Sequence, residues 1–116
     1  MRDLALQAAG ALAILVAIGH GIAAERHVFP NARIEPKRTR NLLRGVWQAS
    51  TVGWIGMGVL LIATPALGSQ ATRQWVIAVA VVVYGYAAVG NAVITRGRHL
   101  GGYLMAGAIV LALMGL

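Results

Sequence analysis

The chain has no cysteine in its 116 residues and only three Asp and Glu against ten Lys and Arg, for a formal net charge of +7. The absence of cysteine excludes disulfides, thiolate metal sites and thiol catalysis. The few carboxylates form no paired-carboxylate site, and the sequence contains neither an HExxH zinc motif nor a glycine-rich phosphate loop. Most of the common catalytic and metal-binding patterns are therefore missing.

Charge of either sign is also scarce, because only 11% of the residues are charged whereas 59% are hydrophobic. Soluble domains carry about 25% charged residues. The mean hydropathy of +0.73 is too high for the apolar surface to be hidden from water in so short a chain. The composition therefore predicts one membrane domain covering residues 1–116.

Four apolar runs are separated by short polar segments, and they predict transmembrane spans at about residues 4–24, 42–63, 75–94 and 100–116. A span needs about 20 apolar residues to cross a hydrocarbon core of about 30 Å. For the first run a secretory signal peptide is the alternative, with Arg2 as its positive end. The fold class that we expect is all-α, a polytopic antiparallel bundle of four transmembrane helices.

The cations are concentrated in two of the connections. Residues 25–44 hold six of the ten Lys and Arg, residues 95–99 hold two, and the opposite side carries Arg2 and Arg73. The positive-inside rule then predicts both connections in the cytoplasm and both termini outside. These cations are expected to contact lipid headgroups rather than nucleic acid: Arg33, Lys37, Arg38, Arg40, Arg96 and Arg98.

Small residues recur at every third or fourth position in three of the runs, and each such series is called here a small-residue stripe. Stripes of this kind let membrane helices approach closely. The sequence predicts three of them as helix contacts: Ala9, Ala13, Ala17 and Gly21; Gly45, Ala49 and Gly53; and Gly85, Ala88 and Ala92. Trp47 and Trp75 are expected at the membrane interfaces.

Several polar side chains fall at a similar depth near the predicted cytoplasmic side: His20, Glu25, Arg44, Gln48, Asn91 and His99. Polar groups inside lipid are costly and usually face the interior of a bundle. One interpretation is structural, with His20 hydrogen-bonded to Gln48 or to a backbone carbonyl. A bond to Gln48 is possible because neutral imidazole and amide groups each donate and accept. The other is a ligand site in which His20 and His99, with Glu25, hold a metal, a haem or a quinone headgroup.

Enzymatic activity is not predicted. Ser50 and Thr51 lie in a predicted span with no obvious adjacent base, so no nucleophile is assigned and no residue is predicted to be catalytic. Trp54, Tyr84 and Tyr86 lie deep in their spans, and their polar atoms need partners in the bundle interior or at a protein interface.

Several short motifs carry a resemblance: Gly19-His20 followed by Glu25-Arg26, the Trp47 position, and Arg96-Gly97-Arg98-His99 with Gly101. In these the chain resembles a group of uncharacterised bacterial four-span membrane proteins. The resemblance implies the fold and a location in the bacterial inner membrane, but no activity. In that group a histidine often follows the tryptophan, where this chain has Gln48. Small multidrug transporters are similar in size, but they need an acidic residue inside the first span, and residues 4–24 contain none.

The function that we expect is structural: an accessory or scaffold subunit that packs against further copies of itself or within a larger membrane complex. The alternative is a protein that uses the polar cluster to bind haem, a metal, a quinone or a small solute, including a small transporter.

Overall fold

The computed structural model describes all of residues 1–116, and every regular element in it is a helix. The helices are α1 (Arg2–Ala23), α2 (Lys37–Leu67), α3 (Gln70–Thr95) and α4 (Leu100–Met114), and α1 continues into a π-helical segment over Ala24–Val28. The all-α prediction is confirmed.

Three of the helical segments are long and apolar enough to cross a membrane: Arg2–Val28, Lys37–Leu67 and Gln70–Thr95. Helix α4 is apolar but has only 15 residues, which corresponds to about 22 Å of helix at the usual rise per residue. A hydrocarbon core is about 30 Å thick. The fourth span therefore stays a prediction.

The helices form an antiparallel ring in which each one packs on the next. Helix α1 packs on α2 and α4, whereas α3 packs closely on α4 and more loosely on α2. The end of the bundle that carries the connection from α1 to α2 and the turn from α3 to α4 is called here the basic end. At the opposite end, Arg2 donates to Gln70 Oε1 over 3.2 Å, and Arg73 donates to the carbonyl of Gly115 over 2.8 Å.

The boundary between α2 and α3 differs from the prediction, which ended the second span at about residue 63. Helix α2 includes Pro65 and ends at Leu67, with Gly68 in the left-handed conformation at φ 71°. A proline so close to the end of a helix removes only one backbone hydrogen bond, so the helix tolerates it. Ser69 caps α3 by accepting from the backbone N–H of Thr72 over 3.2 Å.

The small-residue stripe of α1 is buried as predicted, because Ala9, Ala13 and Ala17 are fully buried and Gly21 is also buried. Close approach of α1 and α2 also depends on a pair that the stripe does not include. A Cβ built on Gly58 would lie 2.9 Å from the carbonyl oxygen of Gly10 and 2.7 Å from Cγ1 of Ile14. The two helices therefore cross where both backbones lack a side chain.

The predicted stripe of α2 is wrong as a contact within the bundle. Gly45, Ala49 and Gly53 are all exposed, and a Cβ built on either glycine would meet no atom within 4 Å. The residues that α2 buries are instead Thr51, Gly58, Leu61 and Thr64. Both faces of this helix carry small and apolar residues, so their spacing does not reveal which face is packed.

The predicted stripe of α3 is wrong for two of its three members. Ala92 is exposed, and no atom lies within 4 Å of a Cβ built on Gly85, whereas Ala88 packs against the core. Helix α3 buries larger residues, namely Ile77, Ala80 and Tyr84. The fully buried Tyr84 donates its hydroxyl to the carbonyl of Trp54 over 2.8 Å, which supplies the partner that a deep tyrosine needs.

Candidate functional site

The π-helical segment at the end of α1 turns the chain toward α2 and begins the site. In this segment the backbone N–H of Phe29 reaches the carbonyl of Ala24, five residues earlier, over 3.0 Å. Segments of this type commonly occur at functional sites. Here the segment carries Glu25 and leads directly into the buried Phe29.

His20 lies between two tryptophan side chains of α2. Its ring stacks on Trp47, with centroids 4.7 Å apart and an interplanar angle of 14°, and a tilted contact places Trp54 at 4.4 Å. The Nε1 atom of Trp47 also donates to the backbone carbonyl of His20 over 3.1 Å. Both faces of the imidazole are thus covered by aromatic rings, and His20 is half-buried in the contact between α1 and α2.

Ser50 is the hydrogen-bond partner of the His20 ring, with 3.1 Å between Nε2 and Oγ. The Ser50 hydroxyl donates its single proton to the carbonyl of Trp47 over 2.6 Å. Since that proton is used, Oγ accepts from His20, and the imidazole carries its proton on Nε2. This arrangement orients the histidine but does not activate the serine, because a nucleophile must give its proton to the base.

Gln48 bonds to α1 beside His20, but not to His20 itself. Its Nε2 atom donates to the carbonyl of Gly21 over 3.0 Å and to Oε1 of Glu25 over 2.9 Å. Arg44 completes this group, because its guanidinium forms a two-pronged ion pair with Glu25, with Nε 2.9 Å from Oε1. The predicted bond between His20 and Gln48 is therefore wrong, since the side chain of Gln48 reaches the next turn of α1.

Phe29 and Arg40 extend these contacts toward the connection. The ring of Phe29 meets the Trp47 ring edge to face at 5.9 Å. Arg40 donates to the carbonyl of Phe29 over 2.7 Å, and its guanidinium carbon lies 5.8 Å from the centroid of the same ring. The site is thus a continuous set of stacked and hydrogen-bonded groups that holds α1 against the first turns of α2. It is called here the α1–α2 clasp: His20, Glu25, Phe29, Arg40, Arg44, Trp47, Gln48, Ser50 and Trp54.

Asn91 and His99 contact other groups. His99 precedes α4 and accepts from the backbone N–H of Gly101 through Nδ1 over 3.0 Å. Asn91 faces α4, and its Oδ1 atom is buried without a hydrogen-bond partner, 3.0 Å from a Cβ built on Gly102. No hydrogen bond joins either residue to the clasp. Of the six predicted cluster residues, the structure therefore joins Glu25, Arg44 and Gln48 in one hydrogen-bonded group. His20 lies beside this group and bonds to Ser50.

The alternative prediction, a metal or cofactor site, can be compared with the arrangement of the side chains. No three His, Asp or Glu side chains come close enough together to hold a metal ion. A surface groove of about 470 Å³ lies at the opposite end of the bundle and is lined by Met1, Arg2, Asp3 and Arg73. None of the residues predicted as haem, metal or quinone ligands lines this groove.

Comparison with known protein families, curated proteins and solved structures finds no match. The resemblance to four-span bacterial membrane proteins therefore stays a prediction.

The partners of His20 in the structure were not predicted from the sequence: Trp47, Ser50 and Trp54. The statement that Ser50 has no adjacent base is wrong, because His20 lies 3.1 Å away on the neighbouring helix. A helical register narrows the partner of His20 to one turn of α2 but does not choose among the residues of that turn. Once Gly10 faces Gly58 in an antiparallel contact, His20 near the end of α1 must face the turn of α2 that contains Trp47 and Ser50.

Proposed function

We propose that this chain is an integral membrane scaffold subunit that assembles with further copies of itself through the outer face of α2. The observation that carries the proposal is the exposure of the small-residue stripe of α2 on a helix long and apolar enough to cross a membrane. The hydrogen bonds of the α1–α2 clasp and an exposed tyrosine of α3 also support the proposal.

The clasp favours a structural role over the alternative of ligand binding. The Nε2 atom of Gln48 donates to two acceptors, and both oxygens of Glu25 are bonded to Arg44 or Gln48. The ring of His20 is covered on both faces. A ligand would have to break these contacts before it could bind, which would lower its affinity.

The outer face of α2 offers a flat surface for another helix. Gly45, Ala49 and Gly53 share this face at four-residue spacing, and Gly56 is also exposed with no atom within 4 Å of a built Cβ. In lipid, such faces associate because the two backbones can approach closely and gain van der Waals contact. A second copy presents the same surface, so a two-fold contact is self-complementary.

Tyr86 supplies an independent reason to expect a protein neighbour. Its side chain is 86% exposed in α3, and its hydroxyl makes none of the hydrogen bonds that Tyr84 and Tyr103 make to backbone carbonyls. A hydroxyl in hydrocarbon without a partner costs free energy. A neighbouring chain can supply that partner.

Disulfide cross-linking tests the proposal, because the chain has no native cysteine. Ala49→Cys should form a covalent dimer on mild oxidation in native membranes. The matched control is Leu15→Cys, which is exposed on α1 and should cross-link poorly. Adding Gly45→Leu and Gly53→Leu to Ala49→Cys should reduce the dimer yield, because the larger side chains keep the backbones apart.

Equal cross-linking of Ala49→Cys and Leu15→Cys would contradict a specific α2 contact. A disulfide between Ala49→Cys and a different protein would exclude self-assembly and assign this face to that partner. Failure of Ala49→Cys to cross-link at all, with the thiol shown to be reactive, would refute the proposed function.

A further inference from the structure

The basic end holds many more cations than the chain itself neutralises. Eight of the ten Lys and Arg lie there against two carboxylates, those of Glu25 and Glu35. Only two of these cations have partners within the chain: Arg44 pairs with Glu25, and Arg40 donates to the carbonyl of Phe29. The remaining six are exposed and form no ion pair: Arg26, Arg33, Lys37, Arg38, Arg96 and Arg98.

The start of α2 increases this positive potential. Lys37, Arg38 and Arg40 lie in its first turn, Pro36 provides no side-chain acceptor, and no acidic residue is present in that turn. The N-terminus of a helix already carries partial positive charge, so proteins usually place Asp or Glu there. Anions that come close from outside the chain would stabilise cations at this position.

The opposite end of the bundle is different. It holds Arg2 and Arg73, and Arg73 is paired with Asp3 and also donates to the carbonyl of Gly115. Arg2 donates to Gln70 Oε1. Both cations at that end therefore have partners within the chain, and the charge asymmetry between the two ends is large.

We propose that the basic end is a docking surface for anionic phospholipid headgroups. The six exposed cations are called here the headgroup cations. They lie on the connections of helices that are long enough to cross a membrane, which is the depth at which lipid phosphates occur. Their long side chains can extend to the headgroups while their alkyl parts stay on apolar surface. Charge complementarity selects anionic over zwitterionic lipid, because a zwitterionic headgroup brings its own cation.

Quenching by brominated lipid measures this preference in the full chain. The protein is reconstituted into equimolar phosphatidylglycerol and phosphatidylcholine, with bromine on the acyl chains of one lipid or the other. Trp75→Phe removes the exposed tryptophan near the opposite end, so the remaining signal comes from Trp47 and Trp54. Stronger quenching by the brominated anionic lipid reports its enrichment beside the basic end.

The decisive variant replaces three headgroup cations: Arg33→Gln, Lys37→Gln and Arg38→Gln. It should lower the preference for phosphatidylglycerol by at least about fivefold, since one cation at an anionic surface contributes about that factor. The matched control, Arg33→Lys with Lys37→Arg and Arg38→Lys, keeps the charge and should retain the preference. Added salt should weaken the preference of the unmodified chain, because exposed charges are screened.

Equal quenching by the two brominated lipids in the unmodified chain would overturn the proposal. A preference that survives in the glutamine variant, or that is lost equally in the charge-conserving control, would also overturn it. If the glutamine variant does not fold, Arg96→Gln with Arg98→Gln tests the same surface on the other connection, and an unchanged preference there would contradict the proposed docking surface.

Discussion

The close contact between Gly10 of α1 and Gly58 of α2 predicts that a single added methyl group lowers the stability of the bundle. In Gly10→Ala the new methyl group would overlap the carbonyl oxygen of Gly58, and it would lie 2.7 Å from Cγ1 of Ile62 and 3.2 Å from the Ile62 backbone nitrogen. Contacts under 3.0 Å essentially never occur for a real Cβ. Since the Gly58 carbonyl belongs to a helical backbone, relief requires the whole of α2 to move outward.

Overpacking of this kind typically costs about 1–3 kcal/mol. Replacing glycine by alanine in a helix gains up to about 1 kcal/mol in water. That gain is small here, because separated helices keep their backbone hydrogen bonds in lipid. We therefore expect Gly10→Ala to lower the free energy of unfolding by about 1–3 kcal/mol.

Unfolding in mixed detergent micelles, followed by tryptophan fluorescence while the fraction of denaturing detergent rises, measures the effect. The matched control is Gly19→Ala in the same helix, where no atom lies within 4 Å of a built Cβ. Its stability should equal that of the unmodified chain. If Gly10→Ala and Gly19→Ala unfold at the same point, the close crossing at Gly10 and Gly58 is refuted.

Three further predictions concern hydrogen bonds and topology. Ser50→Ala removes the partner of His20 Nε2 and should lower the free energy of unfolding by about 1 kcal/mol. The double change Ser50→Ala with His20→Leu should cost less than the sum of the two single changes. Additive costs would contradict the hydrogen bond between the two residues. Tyr84→Phe removes the hydrogen bond to the Trp54 carbonyl and should lower the free energy of unfolding by about 0.5–1.5 kcal/mol. The control Tyr86→Phe should leave the free energy of unfolding of the single chain unchanged. Equal effects of the two changes would contradict the assigned bond. In intact cells an impermeant thiol reagent should label Ser69→Cys and not Asn31→Cys, and the reverse pattern would place the basic end outside.

The sequence was sufficient to predict helices, because apolar runs of this length have few other solutions in lipid. It also predicted the buried face of α1, where alanine and glycine recur against larger apolar neighbours. The same reasoning failed for α2. Gly45, Ala49 and Gly53 have the same spacing as the α1 stripe but lie on the exposed face, and in a membrane helix both faces are apolar.

The site was predicted only in part, because the depth of a residue in a helix does not determine which way its side chain points. Depth along the helices placed His20, Glu25, Arg44 and Gln48 near one another, and the structure brings Glu25, Arg44 and Gln48 into one bonded group. Depth alone does not fix rotation about a helix axis, so the partner of His20 was assigned to Gln48 instead of Ser50. The π-helical segment that carries Glu25 had no signal in the sequence.

The mass of the assembly in native membranes tests the central claim most directly. The chain is extracted with its surrounding lipid into polymer-bounded discs, without detergent, and the protein complex is weighed by native mass spectrometry. Self-assembly through α2 predicts a mass that is an integer multiple, at least two, of the 12.1 kDa chain, and predicts a shift to the single chain in Gly45→Leu with Gly53→Leu. A single 12.1 kDa chain from the unmodified protein, under conditions that preserve known membrane oligomers, would contradict the account.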